Sequence, residues 1–171
     1  MRTYILDGYN LIHRMKGLRA ELDQGLEAAR ARLEARCLPL LRRKDVRAVF
    51  VVYDGRQEAE ERRPSGLRII YTRGKESADS RILRLVREEE GRAGECIIVT
   101  DDREVGWHGK GLGGRVIGCA ELEALLEGEG RRASGSGGSG NKSPSGHAPK
   151  EGLKTSDCKR ITDEYRKQLG L

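Results

Sequence analysis

VRAVFVVYDG, residues Val46–Gly55, is a nearly unbroken apolar run that stops at an Asp-Gly pair. A strand with water on one face alternates apolar and polar residues, whereas a strand covered on both faces does not. The run therefore predicts a buried strand of a parallel sheet. The same pattern recurs on either side. Thr3-Tyr4-Ile5-Leu6 ends at Asp7-Gly8, and Cys96 to Val99 ends at Thr100-Asp101-Asp102. Leu67 to Tyr71 reads as a third strand in chain order and Val116-Ile117 as a short fifth. Between the strands the apolar spacing turns helical. Leu22, Leu26, Ala29 and Leu33 predict a helix, reached through a loop, that Pro39 should kink or end. Ser77 offers an N-cap for a helix from Ala78 to about Glu90, with Ile82, Leu85 and Val86 facing inward. Leu122, Leu125 and Leu126 give a last helix its stripe, and the charged stretch Arg56 to Gly66, which contains Pro64, reads as an exposed loop. Strands alternating with helices imply right-handed βαβ units, hence an α/β domain with a central, mostly parallel sheet and helices on both faces.

The chain has 171 residues, enough for one domain with a real core and a tail. Residues 1–127 carry the strand–helix pattern. Residues 128–152 are rich in Gly and Ser without periodicity, as expected of a flexible linker. Residues 153–171 place Ile161, Tyr165 and Leu169 on one stripe among Lys and Arg, a short basic amphipathic helix. No apolar run approaches the ~20 residues that span a bilayer, and no secretory leader is visible, so a cytoplasmic protein is expected. Cys37, Cys96, Cys119 and Cys158 form no CxxC pair and read as reduced thiols. The net charge of +6 favours a polyanionic partner. With aromatic residues at only 4%, that partner should be gripped mostly through phosphates.

Asp7, Asp54, Asp101 and Asp102 each terminate a predicted strand, and Asp79 falls in the first turn of the helix after the third. In a parallel sheet those positions share one edge, where ligand crevices form. Carboxylates gathered there repel one another unless protons or a cation compensate. Mg2+ or Mn2+ would suit oxygen donors and could activate water against a phosphodiester. A lone Asp after a strand is commonly just a cap or turn residue, and only the repetition along one edge argues for a site. Arg73, Lys75, Arg103 and Lys110, expected in loops flanking the acids, with Arg14 and Lys16 after the first strand, would form a basic rim that positions the phosphates of a nucleic acid. Gly109 to Gly114 spells GKGLGG, a literal GxGxxG. A strand follows it rather than a helix, so it reads as a flexible loop and no dinucleotide cofactor is expected. A phosphatase of the haloacid dehalogenase type would want a second acid where Tyr9 stands. His13 and His108 near the same edge could each serve as a general base but read more simply as surface-loop residues.

LDGYN at Leu6–Asn10, VVYDG at Val51–Gly55, YTRGKESADSRI at Tyr71–Ile82 and VTDDRE at Val99–Glu104 resemble the YacP-like NYN-domain family of PIN-like nucleases. The resemblance runs from Tyr4 to about Leu126. It implies a PIN-like three-layer α/β/α fold and a metal-dependent RNA endonuclease, some members acting on mRNA at the ribosome. Carried over by position, Asp7, Asp79 and Asp102 match the family's catalytic and metal-holding acids, and Asn10 its motif asparagine. Asp101 stands where relatives often carry a small polar residue. The expectation is cleavage of RNA by metal-activated water, with the ribosome as a further partner. The alternatives are a catalytically silent RNA- or ribosome-binding module of the same fold and a small-molecule phosphohydrolase.

Overall fold

The computed structural model describes residues 1–55, 59–63, 65–73, 76–89 and 94–134, without the side chains of 59–62, 73 and 129–134. Its centre is a six-stranded sheet in the order β3-β4-β2-β1-β5-β6. The strands are β1 (Arg2–Asp7), β2 (Val46–Gly55), β3 (Ala59–Arg62), β4 (Arg68–Arg73), β5 (Glu95–Val99) and β6 (Arg115–Ile117). All neighbours pair in parallel except β3, which runs antiparallel to β4 at one edge. The helices are α1 (Gly8–Arg14), α2 (Lys16–Arg19), α3 (Leu26–Leu41), α4 (Ala78–Glu89), α5 (Arg103–Gly111) and α6 (Cys119–Ser134).

The apolar runs divide their residues between two cores, as a doubly covered sheet requires. Tyr4, Leu6, Val49, Val51, Tyr53, Ile97 and Val99 face α1, α3 and α6, where Leu11, Leu33 and Leu122 are fully buried. Ile5, Phe50, Val52, Ile70 and Ile98 face the other way, onto Ile82, Leu85 and Val86 of α4 and Val105 of α5. The chain builds outward from β1 to β2 and β4, then α4 carries it back across β1 to β5. That reversal leaves a crevice at the carboxyl ends of β1 and β5, the usual place for a ligand in such sheets.

Several expectations need correcting. The helix expected to include Leu22 is broken at Gly25, and Leu22 sits in a 3-10 turn over Ala20–Gln24. Two short helices precede that turn instead of a loop, so Arg14 and Lys16 are helical. Pro39 lies inside α3, which ends two residues later at Leu41. The predicted loop over 56–66 contains β3, whose AEER sequence carries no apolar alternation. An edge strand needs only backbone pairing, and its charges discourage further strands from adding. Arg103 and Lys110 stand on α5, not in loops. Residues 128–134, assigned to the linker, continue α6 to Ser134. The rest of that linker and the expected helix over 153–171 lie outside the described residues.

GKGLGG is a packing device and a helix terminus, not a flexible loop. Gly109 is buried in α5, and a Cβ there would sit 2.2 Å from the Cδ1 of Ile98. Gly113 has φ +80°, its N–H donating to the carbonyl of Lys110 while that of Gly114 donates to Gly109. This is the left-handed terminus with paired bonds that glycine supplies without strain. Cys37, Cys96 and Cys119 are free thiols, as expected, and Cys158 is outside the described residues. Among the described residues no helix is long and apolar enough to cross a membrane.

Candidate active site

Asp7 closes β1 and opens α1 at once. Its Oδ1 accepts from the backbone N–H of Asn10 at 3.2 Å, and its Oδ2 accepts from the Thr100 hydroxyl at 3.3 Å. The side chain is therefore fixed from both sides of the β1–β5 crevice, and the residue is only 8% exposed. Burial pushes its pKa up to about 7; the bond from Asn10 opposes this, and the charges of Asp79 and Asp54 reinforce it. Near neutrality this carboxyl is poised between its acid and its anion.

Asp54 belongs to the same edge but is occupied. Its Oδ1 accepts from the Thr72 hydroxyl at 3.1 Å and from the backbone N–H of Ala78 at 2.7 Å. The end of β2 thus tethers the first turn of α4, which Ser77 also caps through the N–H of Ser80. Asp79 occupies that first turn and is exposed, close enough to Asp7 to raise its proton affinity. Asp102 caps α5, its Oδ1 accepting from Glu104 and Val105, while its own N–H donates to the Thr100 hydroxyl oxygen. Asp101 accepts from the N–H of Cys119 at the start of α6 and lies 4.0 Å from Arg14. The side-chain oxygen of Asn10 accepts from the N–H of Asp101 and from the Cys119 thiol, tying α1 to the end of β5.

The sheet edge therefore brings all five aspartates and Asn10 together, in two roles. Asp7, Asp54, Asp101 and Asp102 each spend an oxygen on a helix start, and Asp7 is also the buried acid that feels the charge of the exposed Asp79. Among the described residues, no group of three or more His, Cys, Asp or Glu side chains converges tightly enough to hold a metal ion. An all-oxygen pair nonetheless fits a small hard cation, since Mg2+ is commonly held through one or two carboxylates and keeps several waters. The chemistry of the pair matches: a buried carboxyl of raised pKa beside a second carboxylate gains most from a neighbouring positive charge.

Of the basic rim, Arg14 is half-buried, whereas Lys16, Arg103 and Lys110 are exposed. Lys75 lies outside the described residues, as does the side chain of Arg73. His13 and His108 are on helices rather than in loops. Burial, and then the charge of Arg19, lowers the pKa of His13, while Nδ1 of His108 lies 2.8 Å from the carbonyl of Glu104. Two supports went unread in the sequence. Thr100 and Thr72 looked like ordinary strand formers, but their hydroxyls orient Asp7 and Asp54. For Thr100 the signal available was its place directly before Asp101; for Thr72 there was none, since its acid lies across the sheet on β2.

Beneath α1, the Arg30 guanidinium lies over the rings of Tyr9, Tyr53 and Tyr71 at 5.3–5.4 Å and hydrogen-bonds the Tyr9 hydroxyl. Gly8 sits directly on Tyr53, and a Cβ there would fall 2.3 Å from the ring. Gly8→Ala should accordingly cost about 1–3 kcal/mol by overpacking and displace Asp7 with it. Chemical denaturation would measure the loss, and an unchanged midpoint would contradict this packing.

A parallel α/β sheet with helices on both faces and acids at the carboxyl ends of its central strands fits the PIN-like α/β/α class. The chain belongs to the YacP-like NYN domain family, whose model matches residues 4–166. Its fold is similar to the crystal structure of a tryptophan-to-leucine mutant of Rae1 (YacP) from Bacillus subtilis, at 26% identity and a TM-score of 0.69, covering 78% of this chain and 80% of that one. A second crystal structure of Rae1 (YacP) from Bacillus subtilis matches at 22% identity and a TM-score of 0.66, covering 99% and 88%. No curated protein matches the chain. Family membership gives it a nuclease-like, RNA-related function.

Proposed function

We propose that the protein is a metal-dependent RNA endonuclease acting at the Asp7–Asp79 pair. The observation that carries this is the buried Asp7, held by Asn10 and Thr100 and pushed up to about 7 beside a second carboxylate. Such a pair is costly to fold and gives no packing in return, which points to a site kept for chemistry. Mg2+ or Mn2+ bound there would supply positive charge for the phosphate and lower the pKa of attacking water. Asp7 and Asp79 would hold the ion, and Asp102 has one oxygen not used in capping to offer it. Asn10 fixes the crevice wall, and its amide N–H2 group orients a ligand oxygen. Arg14, Lys16 and Arg103 position phosphates around the edge. In-line attack of water on phosphorus, with the P–O3′ bond breaking and the 3′-oxygen taking up a proton, would leave a 5′-phosphate and a 3′-hydroxyl.

A silent RNA- or ribosome-binding module of the same fold is the second reading, favoured by the capping duties of Asp54, Asp101 and Asp102. One assay separates the two. Purified protein is incubated with end-labelled RNA in EDTA, Mg2+ or Mn2+, with ribosomes as a separate variable, and product ends are mapped. The enzyme reading expects cuts with 5′-phosphates in metal alone or in metal with ribosomes. Binding without cuts under every condition selects the silent module.

A further inference from the structure

Trp107 is the only tryptophan of the chain, and it is 74% exposed on α5. Apart from Met1 it is the one exposed large apolar side chain among the described residues. A single exposed indole is ordinary by itself, but this one stands among apolar and basic neighbours. It lines an open groove of about 610 Å3 between α4 and α5, together with Leu83, Leu112, Arg87 and Lys110. No acidic side chain lines the groove, and neither Arg87 nor Lys110 makes an ion pair with a described residue. The His108 ring stands edge-on to the indole at 5.0 Å and 78°, bracing it.

The groove lies further along the two helices that start at the acidic edge. α4 and α5 both start there, at Asp54 and Asp102, and pack side by side on the same face of the sheet. Trp107 lies five residues beyond the Asp102 cap, about 7–8 Å along the helix, and Arg87 eight residues beyond Asp79, about 12 Å. We infer that this groove is a single-stranded RNA subsite: a base stacks on Trp107, and the flanking phosphates are held by Arg87 and Lys110. Every base has a face to stack and every link a charge to pair, so the subsite would grip RNA without reading its sequence. A groove lined by both basic and apolar side chains fits a polyanion carrying aromatic rings better than a second copy of this chain, whose net charge of +6 would be repelled.

The inference rests on RNA being the substrate, but its test does not need cleavage. Because Trp107 is the sole indole, fluorescence excited at the tryptophan edge reports this groove alone. The full chain in EDTA is titrated with a single-stranded oligouridylate and, separately, with heparin, a polyanion without bases. The expected result is saturable quenching by the oligonucleotide and little by heparin. Fluorescence anisotropy of labelled oligonucleotide should show Trp107→Ala weakening binding between about fivefold and a hundredfold, with Trp107→Phe restoring most of it. The Arg87→Ala/Lys110→Ala pair should flatten the salt dependence. Quenching without any cleavage in metal supports the subsite while counting against the endonuclease reading. Cleavage with an oligonucleotide that binds without quenching, and with full affinity in Trp107→Ala, overturns the subsite alone. So does sedimentation showing that Trp107 is buried by self-association.

Discussion

Asp79→Asn should lose metal-dependent RNA cleavage by about a thousandfold while keeping its fold and its affinity for RNA. The size follows from the role. A cation that stabilises charge on a transferring phosphoryl group is worth several kcal/mol at the transition state, and each 1.4 kcal/mol is tenfold in rate. The fold survives because Asp79 is exposed in the first turn of α4, and the caps on that turn come from Asp54 and Ser77. The variant gives up a carboxylate near the helix N-terminus, worth about 0.3–1 kcal/mol, and sheds the repulsion with Asp7. Single-turnover cleavage with Mn2+, beside circular dichroism and RNA binding, measures all three. Wild-type cleavage in this variant would move the site elsewhere.

The second large effect concerns stability and runs opposite to the usual acid. Asp7 ionises at about 7 in the fold against 3.8 for an ordinary aspartate. Between those values the folded chain keeps a proton that the unfolded chain releases. Its stability contribution is therefore full below pH 3.8 and is lost as pH rises towards 7. A difference of about three pH units, at about 1.4 kcal/mol each, amounts to a cost on the order of 4 kcal/mol above pH 7. Asp7→Asn removes that cost. Its Oδ1 can still accept from Asn10, and its amide can donate to the Thr100 oxygen. Urea denaturation in EDTA should give matching stabilities near pH 4 and an increasingly stabler variant up to pH 7, levelling beyond. Parallel curves across that range would mean that Asp7 is not buried as an acid between its neighbours.

Much of this was legible because the apolar runs obey one physical rule. Val49–Tyr53 and Tyr4–Leu6 show no alternation because both their faces are covered, and that alone specified a parallel sheet with helical layers on each side. Asp7, Asp54, Asp101 and Asp102 were legible as an edge because each followed such a run, and Asp79 because it opened the helix after one. The assignment of roles within the edge was not. Whether Asp54 caps α4 or faces Asp7 depends on where the chain returns, and the cap is made by a residue 24 positions away. Local pattern carries no trace of that bond. α1 escaped notice because GYNLIHR follows the strand without a break, Asp7 serving as both strand end and helix cap. β3 escaped because an edge strand is held by backbone bonds that charged side chains do not disturb. GKGLGG misled in the other direction. Glycines usually mark freedom, but here one is demanded by the close approach of α5 to Ile98 and another by the turn that ends the helix.

The central claim is that Asp7 and Asp79 together hold the divalent ion on which cleavage depends. Calorimetric titration of Mn2+ into the full chain near pH 7, in buffers of different ionisation enthalpy, tests it most directly. With Asp7 half protonated at that pH, binding should release a fraction of a proton, and the measured heat should vary with the buffer. In Asp7→Asn/Asp79→Asn both the binding and its buffer dependence should vanish. Identical Mn2+ heats in the wild type and the double variant would contradict the account, as would their absence from both.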